Sequence, residues 1–146
     1  MQIRLEVISN DIAKSLAKLP NDIISQAAER ALVAGGEVIV AYAKINAAGQ
    51  GLQGKTGHLI NSIQVYDPSP ESVLVGSRGV IYAAVHEFGA TIRPKRAKML
   101  HWVNEEGEDV FAMQSVIPER AYLRPAIDEH RSEVLQAMGN VIRQYL

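Results

Sequence analysis

Residues 22–46 read DIISQAAERALVAGGEVIVAYAKIN, and the spacing of the apolar positions there decides the fold. Ile24, Ala31, Val38 and Ile45 recur seven apart, with Ala27, Ala34 and Ala41 as a narrow seam beside them. Recurrence of that kind predicts one long helix with an apolar stripe. Asn21 stands where a capping side chain would. At 1.5 Å per residue the helix would run roughly 38 Å. Small side chains admit another backbone closely, so the helix is expected to lie flat on a sheet or a partner helix.

Working outward, Ile3, Leu5 and Val7 alternate with Gln2, Arg4 and Glu6, which predicts a half-buried strand. Asn10 is placed to cap a short helix carrying Ile12, Leu16 and Leu19, ended by Pro20. Beyond the long helix, Ala48 to Gly57 holds four glycines and no apolar period, and reads as a mobile loop. Short strands are expected over Ser62–Tyr66 and Ser72–Val75, joined by the turn Asp67-Pro68-Ser69-Pro70. Ile81 to Phe88 reads as a short helix ended by Gly89. Leu100–Val103 and Val110–Gln114 flank Asn104-Glu105-Glu106-Gly107-Glu108, a hairpin with an acidic tip. Pro125 suits the first position of a helix running to the C-terminus, with Ile127, Val134, Met138, Val141 and Tyr145 as its buried stripe. The order predicts α+β: an antiparallel β-sheet with a long helix and a C-terminal helix packed mainly on one face. No linker divides the chain, so residues 1–146 read as a single domain.

Composition narrows the function. Of 146 residues, 47% are apolar and 21% charged, with a formal charge of −1; this is a globular balance that gives no electrostatic reason to expect nucleic acid or anionic membrane as the main partner. There is no cysteine, which removes disulfides, thiolate metal sites and cysteine nucleophiles. No stretch reads as approaching the roughly 20 apolar residues of a membrane span, and the alternating N-terminus does not read as a secretory leader.

The motifs of known chemistry fare poorly against their surroundings. Gly49-Gln50-Gly51-Leu52-Gln53-Gly54-Lys55-Thr56 satisfies the P-loop pattern letter for letter. That chemistry needs a strand feeding the loop and a helix leaving it. Here a helix precedes and a strand follows, so a nucleotide-dependent enzyme using Gly54, Lys55 and Thr56 is the third-ranked reading. His58, His86, His101 and His130 lack metal-ligand spacing. The carboxylates at Glu105, Glu106, Glu108 and Asp109 sit on a hairpin tip, without burial to raise a pKa. Catalysis, cofactors and metals are therefore not expected. The basic cluster Arg93, Lys95, Arg96 and Lys98, with Arg78 not far away, has no interleaved aromatic for base stacking. It fits non-specific contact with passing DNA, or an acidic protein surface. A DNA-binding accessory protein using residues 93–98 is the alternative function.

Three blocks carry a resemblance. Tyr82-Ala83-Ala84-Val85-His86-Glu87-Phe88-Gly89-Ala90-Thr91-Ile92-Arg93-Pro94 is similar to the "YA..HEFG..I.P" signature of phage virion-morphogenesis and tail-completion proteins. Val116 to Ala126, through Pro118, Arg120, Leu123, Arg124 and Pro125, resembles the family's "IPARPFLRPA" stretch before the last helix. Upstream, Thr56, Gly57, Leu59 and Ser62 resemble its "TG.L..SI" turn, which also claims Lys55-Thr56 from the P-loop pattern. Glu119-Arg120-Ala121 departs from the usual Ala-Arg-Pro, which bears on loop geometry. Similar proteins come from Mu-like and other long-tailed phages. The resemblance implies a structural protein at the neck or tail end of the virion, made in the host cytoplasm and acting as a hexameric ring. Its partners would be itself and other neck or tail proteins, with no membrane. Arg93, Lys95, Arg96 and Lys98, and the acidic Glu105, Glu106, Glu108 and Asp109, are the candidate assembly surfaces.

Overall fold

A computed structural model of the chain describes residues 2–6, 14, 17–54 and 56–146. Val7, Asn10, Ile12, Leu16 and Lys55 lie outside the described residues, and with them most of the expected short first helix. Two compact units emerge: Met1–Val80 with Ala121–Leu146, and Ile81–Arg120.

The first unit is built on helix α1, Asn21–Gly49, which is 29 residues long and so about 44 Å. It begins at Pro20, whose carbonyl accepts the Ile24 N–H at 2.9 Å; no side-chain cap forms, so Asn21 does not play the capping role expected of it. Strands β1 (Gln2–Glu6), β2 (Ile63–Tyr66) and β3 (Ser72–Ser77) make an antiparallel sheet in the order β1-β3-β2. The helix lies on this sheet as its small residues foretold, but on a different face. Ala27, Ala31, Leu32, Gly35, Gly36, Ile39, Val40, Ala43 and Ala47 are buried, whereas Ile45 and Ala41 are exposed. The closest approach is at Gly36, where an added Cβ would stand 2.9 Å from a Val65 methyl and 3.3 Å from a Val75 methyl. By length and composition alone α1 could cross a membrane, against the expectation that no stretch qualifies. A helix buried along much of its surface in a protein core meets the same test.

Four further elements differ from expectation in extent. A short helix α2, His58–Ser62, occupies the start of what the sequence suggests as strand, and β2 begins at Ile63. Tyr66 Oη donates to the Ser62 carbonyl at 2.7 Å, closing the turn from helix to strand. The C-terminal helix is broken into α4 (Leu123–Asp128) and α5 (Arg131–Arg143), with Pro125 in the third position rather than the first. The break falls at His130, whose backbone leaves helical geometry while its ring stacks on Tyr42 of α1. The buried stripe of α5 is Val134, Met138 and Ile142; Val141 and Tyr145 are half-buried. The end of α1 is tied to the start of α4 by Asn46 Nδ2 donating to the Tyr122 carbonyl (3.1 Å) and Gln50 Nε2 to the Ala121 carbonyl (2.5 Å). Tyr122, Leu123 and Ala126 are fully buried beside that junction.

The second unit contains helix α3 (Ala83–Phe88) and two separate ribbons. Strand β4 (Ala90–Ile92) pairs antiparallel with β7 (Ser115–Ile117), and β5 (Leu100–Val103) with β6 (Asp109–Ala112). The chain is α+β as read, with the strands among the described residues divided among three small sheets rather than one.

Candidate assembly surface

The motif residues fall into two groups. In the first unit, Thr56 is exposed, Gly57 holds a left-handed conformation (φ +62°) ahead of α2, Leu59 is buried, and Ser62 Oγ donates to the Leu59 carbonyl at 2.6 Å. The left-handed glycine opens a helical turn rather than leading directly into a strand. Leu123 is buried, with Arg124 and Pro125 half-buried in α4. These residues shape and fill the first unit.

In the second unit, two motif blocks that are far apart in sequence meet. The Arg120 N–H donates to the His86 carbonyl at 2.7 Å, and β4 pairs with β7. Gly89 ends α3 with φ +71° and ψ 166°, and a Cβ there would fall 2.9 Å from Glu119 N and 3.0 Å from the Ile117 carbonyl. Only glycine fits both the backbone angles and the gap. Tyr82 meets the His86 ring edge to face at 5.7 Å, Glu87 is fully buried, and Phe88 and Pro118 are exposed.

His86 is half-buried, and its Nδ1 has no hydrogen-bond partner among the described residues. Burial, and then the Arg120 charge, hold its pKa below the ordinary 6.5. As pH falls, the unfolded chain therefore takes up this proton before the folded one does. The sign is fixed: His86's contribution is full above about pH 6.5 and declines as pH drops below it. Asp67 and Glu133, whose carboxyls are also held below their ordinary values of 3.8 and 4.5, act only in more acid solution. Melting curves between pH 7.5 and 5.5 are expected to show a fall in Tm that is smaller in His86→Gln. Equal slopes for the two proteins would reject this account of His86.

The two charged segments also lie in this unit. Arg93, Lys95, Arg96 and Lys98 are all exposed. Arg78 belongs to the first unit, where it pairs with Asp67 and lies over the Tyr66 ring at 4.5 Å. At the hairpin tip Glu105, Glu106, Glu108 and Asp109 are exposed, as read. The tip is held in shape by Asn104, whose Oδ1 accepts the Glu106 N–H (3.0 Å) and the Glu108 N–H (2.8 Å), and by Gly107 at φ +82°. Asp109 lies 2.7 Å from His101 Nε2.

One feature escaped the sequence reading. Of thirteen large apolar side chains exposed among the described residues, ten lie between Ile81 and Val116. That bias sets this unit apart, because scattered exposed apolar residues are ordinary and a concentration of them is not. A signal was available: Met99 to Val103 and Val110 to Met113 are apolar in both phases of the strand alternation. A ribbon with one wet face shows one apolar phase; two imply that both faces are to be covered.

Among the described residues the glycine loop lacks the feeding strand of a P-loop. Gly51 and Gly54 take left-handed turns after a helix, not after a strand, and Lys55 lies outside the described residues. Among the described residues no three His, Cys, Asp or Glu side chains converge as a metal site would require.

Compared with known proteins, the chain matches the model of a family described as the phage virion morphogenesis family over residues 24–146. No curated protein and no solved structure matches the chain.

Proposed function

The chain belongs to the phage virion morphogenesis family, and from that premise we propose that it is a structural subunit for tail completion or head–tail joining. It acts at the neck or tail end as a closed ring of copies of itself, without catalysis or cofactor. The observation that carries this reading is the character of residues 81–120. That unit holds the motif junction, two exposed segments of opposite charge, and most of the large apolar side chains exposed among the described residues. A ring subunit needs two different surfaces, one for each neighbour. Exposed charge pairs are individually weak, typically under about 1 kcal/mol, so they set register while apolar contact supplies affinity.

The test is assembly. Particles made without the chain are expected to appear in electron micrographs as separate heads and tails, and the wild-type gene restores joined virions. Reversing Arg93, Lys95 and Arg96 to glutamate is expected to block that rescue while leaving the melting temperature of the isolated protein nearly unchanged at low concentration, where both are monomers. Normal virions from the triple mutant would return the cluster to an ordinary solvated loop.

The four exposed cations also favour a second reading, contact with DNA. Four phosphate contacts would give a log–log salt slope of roughly −3.6. A shallow slope, with binding unaffected by the triple reversal, removes it.

A further inference from the structure

The β5–β6 ribbon has two faces, fixed by its register. Leu100 faces Ala112 and Trp102 faces Val110 on one side; His101 faces Phe111 and Val103 faces Asp109 on the other. The second side is the more exposed. Val103 is 58% and Phe111 62% accessible, and Met99 (46%) and Met113 (66%), at the next alternate positions, are similar. Within its unit, each strand of the ribbon packs substantially only on the other. Two strands alone are marginal in water, so a covering partner is called for.

Charge at the two ends identifies the partner. The basic segment Arg93–Lys98 leads into the open end of the ribbon, and Glu105, Glu106, Glu108 and Asp109 cluster at its turn. The surface therefore runs from positive through apolar to negative along one short ribbon. A second ribbon laid antiparallel on the first matches both charged ends and buries both apolar centres. Laid parallel, it would set like charge against like.

We propose that the free chain pairs with a second copy of itself through the His101–Phe111 face of the β5–β6 ribbon, antiparallel and about a two-fold axis. Such a contact is isologous, the same patch on both copies, unlike the two-surface contact of a ring. It goes beyond the ring reading and holds for the protein in solution, before any particle forms. Phe111, stacked on His101 at 4.7 Å between ring centroids, lies at the centre of the face and so near the axis.

The chain has no cysteine, so a single introduced one can form a disulfide only with another copy. Purified Phe111→Cys under mild oxidation is expected to give a covalent dimer at twice the 16.0 kDa of the chain. Ile45→Cys, exposed on α1 in the other unit, is expected to give far less. In sedimentation, wild type is expected at the dimer mass at high concentration. The charge-reversed variant (Arg93, Lys95 and Arg96 to Glu) is expected to be monomeric, and adding Glu105→Lys, Glu106→Lys and Glu108→Lys to restore the dimer. Phe111→Ser, at an exposed position, is also expected to be monomeric. No preferential cross-link at residue 111, a monomeric wild type, or no restoration by the charge swap would each overturn the proposal. Because no other phage component is present, such a failure would leave the particle role untouched, and loss of the particle role would leave this pairing untouched.

Discussion

Gly89→Ala is expected to be among the most damaging single substitutions in the chain, loosening residues 81–120 while sparing the fold of the other unit. The backbone there, φ +71° and ψ 166°, is in a region open essentially to glycine alone. Forcing alanine into it costs about 1–3 kcal/mol. The added methyl also meets backbone rather than a flexible side chain, at 2.9 Å from Glu119 N and 3.0 Å from the Ile117 carbonyl. Relief requires the 117–119 segment to retreat, which strains the Arg120–His86 hydrogen bond and the β4–β7 pairing beside it. Amide exchange resolved by residue is the measurement. Protection is expected to drop in α3, β4 and β7 and to persist in α1 and β3. Unchanged protection in the second unit would show that Gly89 is not the hinge of that junction.

The second large effect lies in the first unit. Val134 and Met138 are buried on α5, where the helix packs on α1. Truncating Met138 to alanine removes buried methylenes and leaves a void that stiff neighbours fill only in part, at a cost of about 2–5 kcal/mol. Val134→Ala removes fewer atoms and is expected to cost less. Leu135→Ala and Gln136→Ala, at exposed positions of the same helix, serve as controls and are expected to change stability by less than about 0.5 kcal/mol. Urea denaturation compares the four. Glu133 is unsuited as a control: it is half-buried, accepts a hydrogen bond from Ser132 Oγ at 2.7 Å and lies 3.4 Å from His130 Nδ1. Equal small effects at 134, 135, 136 and 138 would mean that the buried face has been misassigned.

The sequence disclosed its elements more readily than their faces. Helix α1 is legible from apolar recurrence, yet the seven-residue repeat through Ile24, Val38 and Ile45 is not its buried stripe. Several elements surround that helix, so burial spreads over a broad arc that includes Gly35 and Gly36, which carry no hydropathic signal. Strands β4 and β7 were illegible for a different reason. Each has three residues and gains its pairing from a partner more than twenty positions away, beyond what local alternation can report. The last helix breaks at His130, whose ring stacks on Tyr42, a contact still more distant in sequence.

The candidate surface was half legible. The charged segments stand out as runs, and the motif blocks flagged Gly89 and His86 without giving their reason. That reason is geometric, the backbone angles and the hydrogen bond from Arg120. The apolar face of the β5–β6 ribbon was written in the sequence as two apolar phases. Reading the hairpin by its turn and acidic tip drew attention to the charge and away from the strands.

The central claim is that this protein is a structural part of the phage particle. Its most direct test is to purify virions through a density gradient and quantify the chain by mass spectrometry against a tail protein of known stoichiometry. The account predicts a small, fixed copy number in joined particles, and loss of the chain from particles carrying the Arg93, Lys95 and Arg96 reversal. Purified infectious virions that contain none of the chain, and that form equally well without its gene, would contradict it.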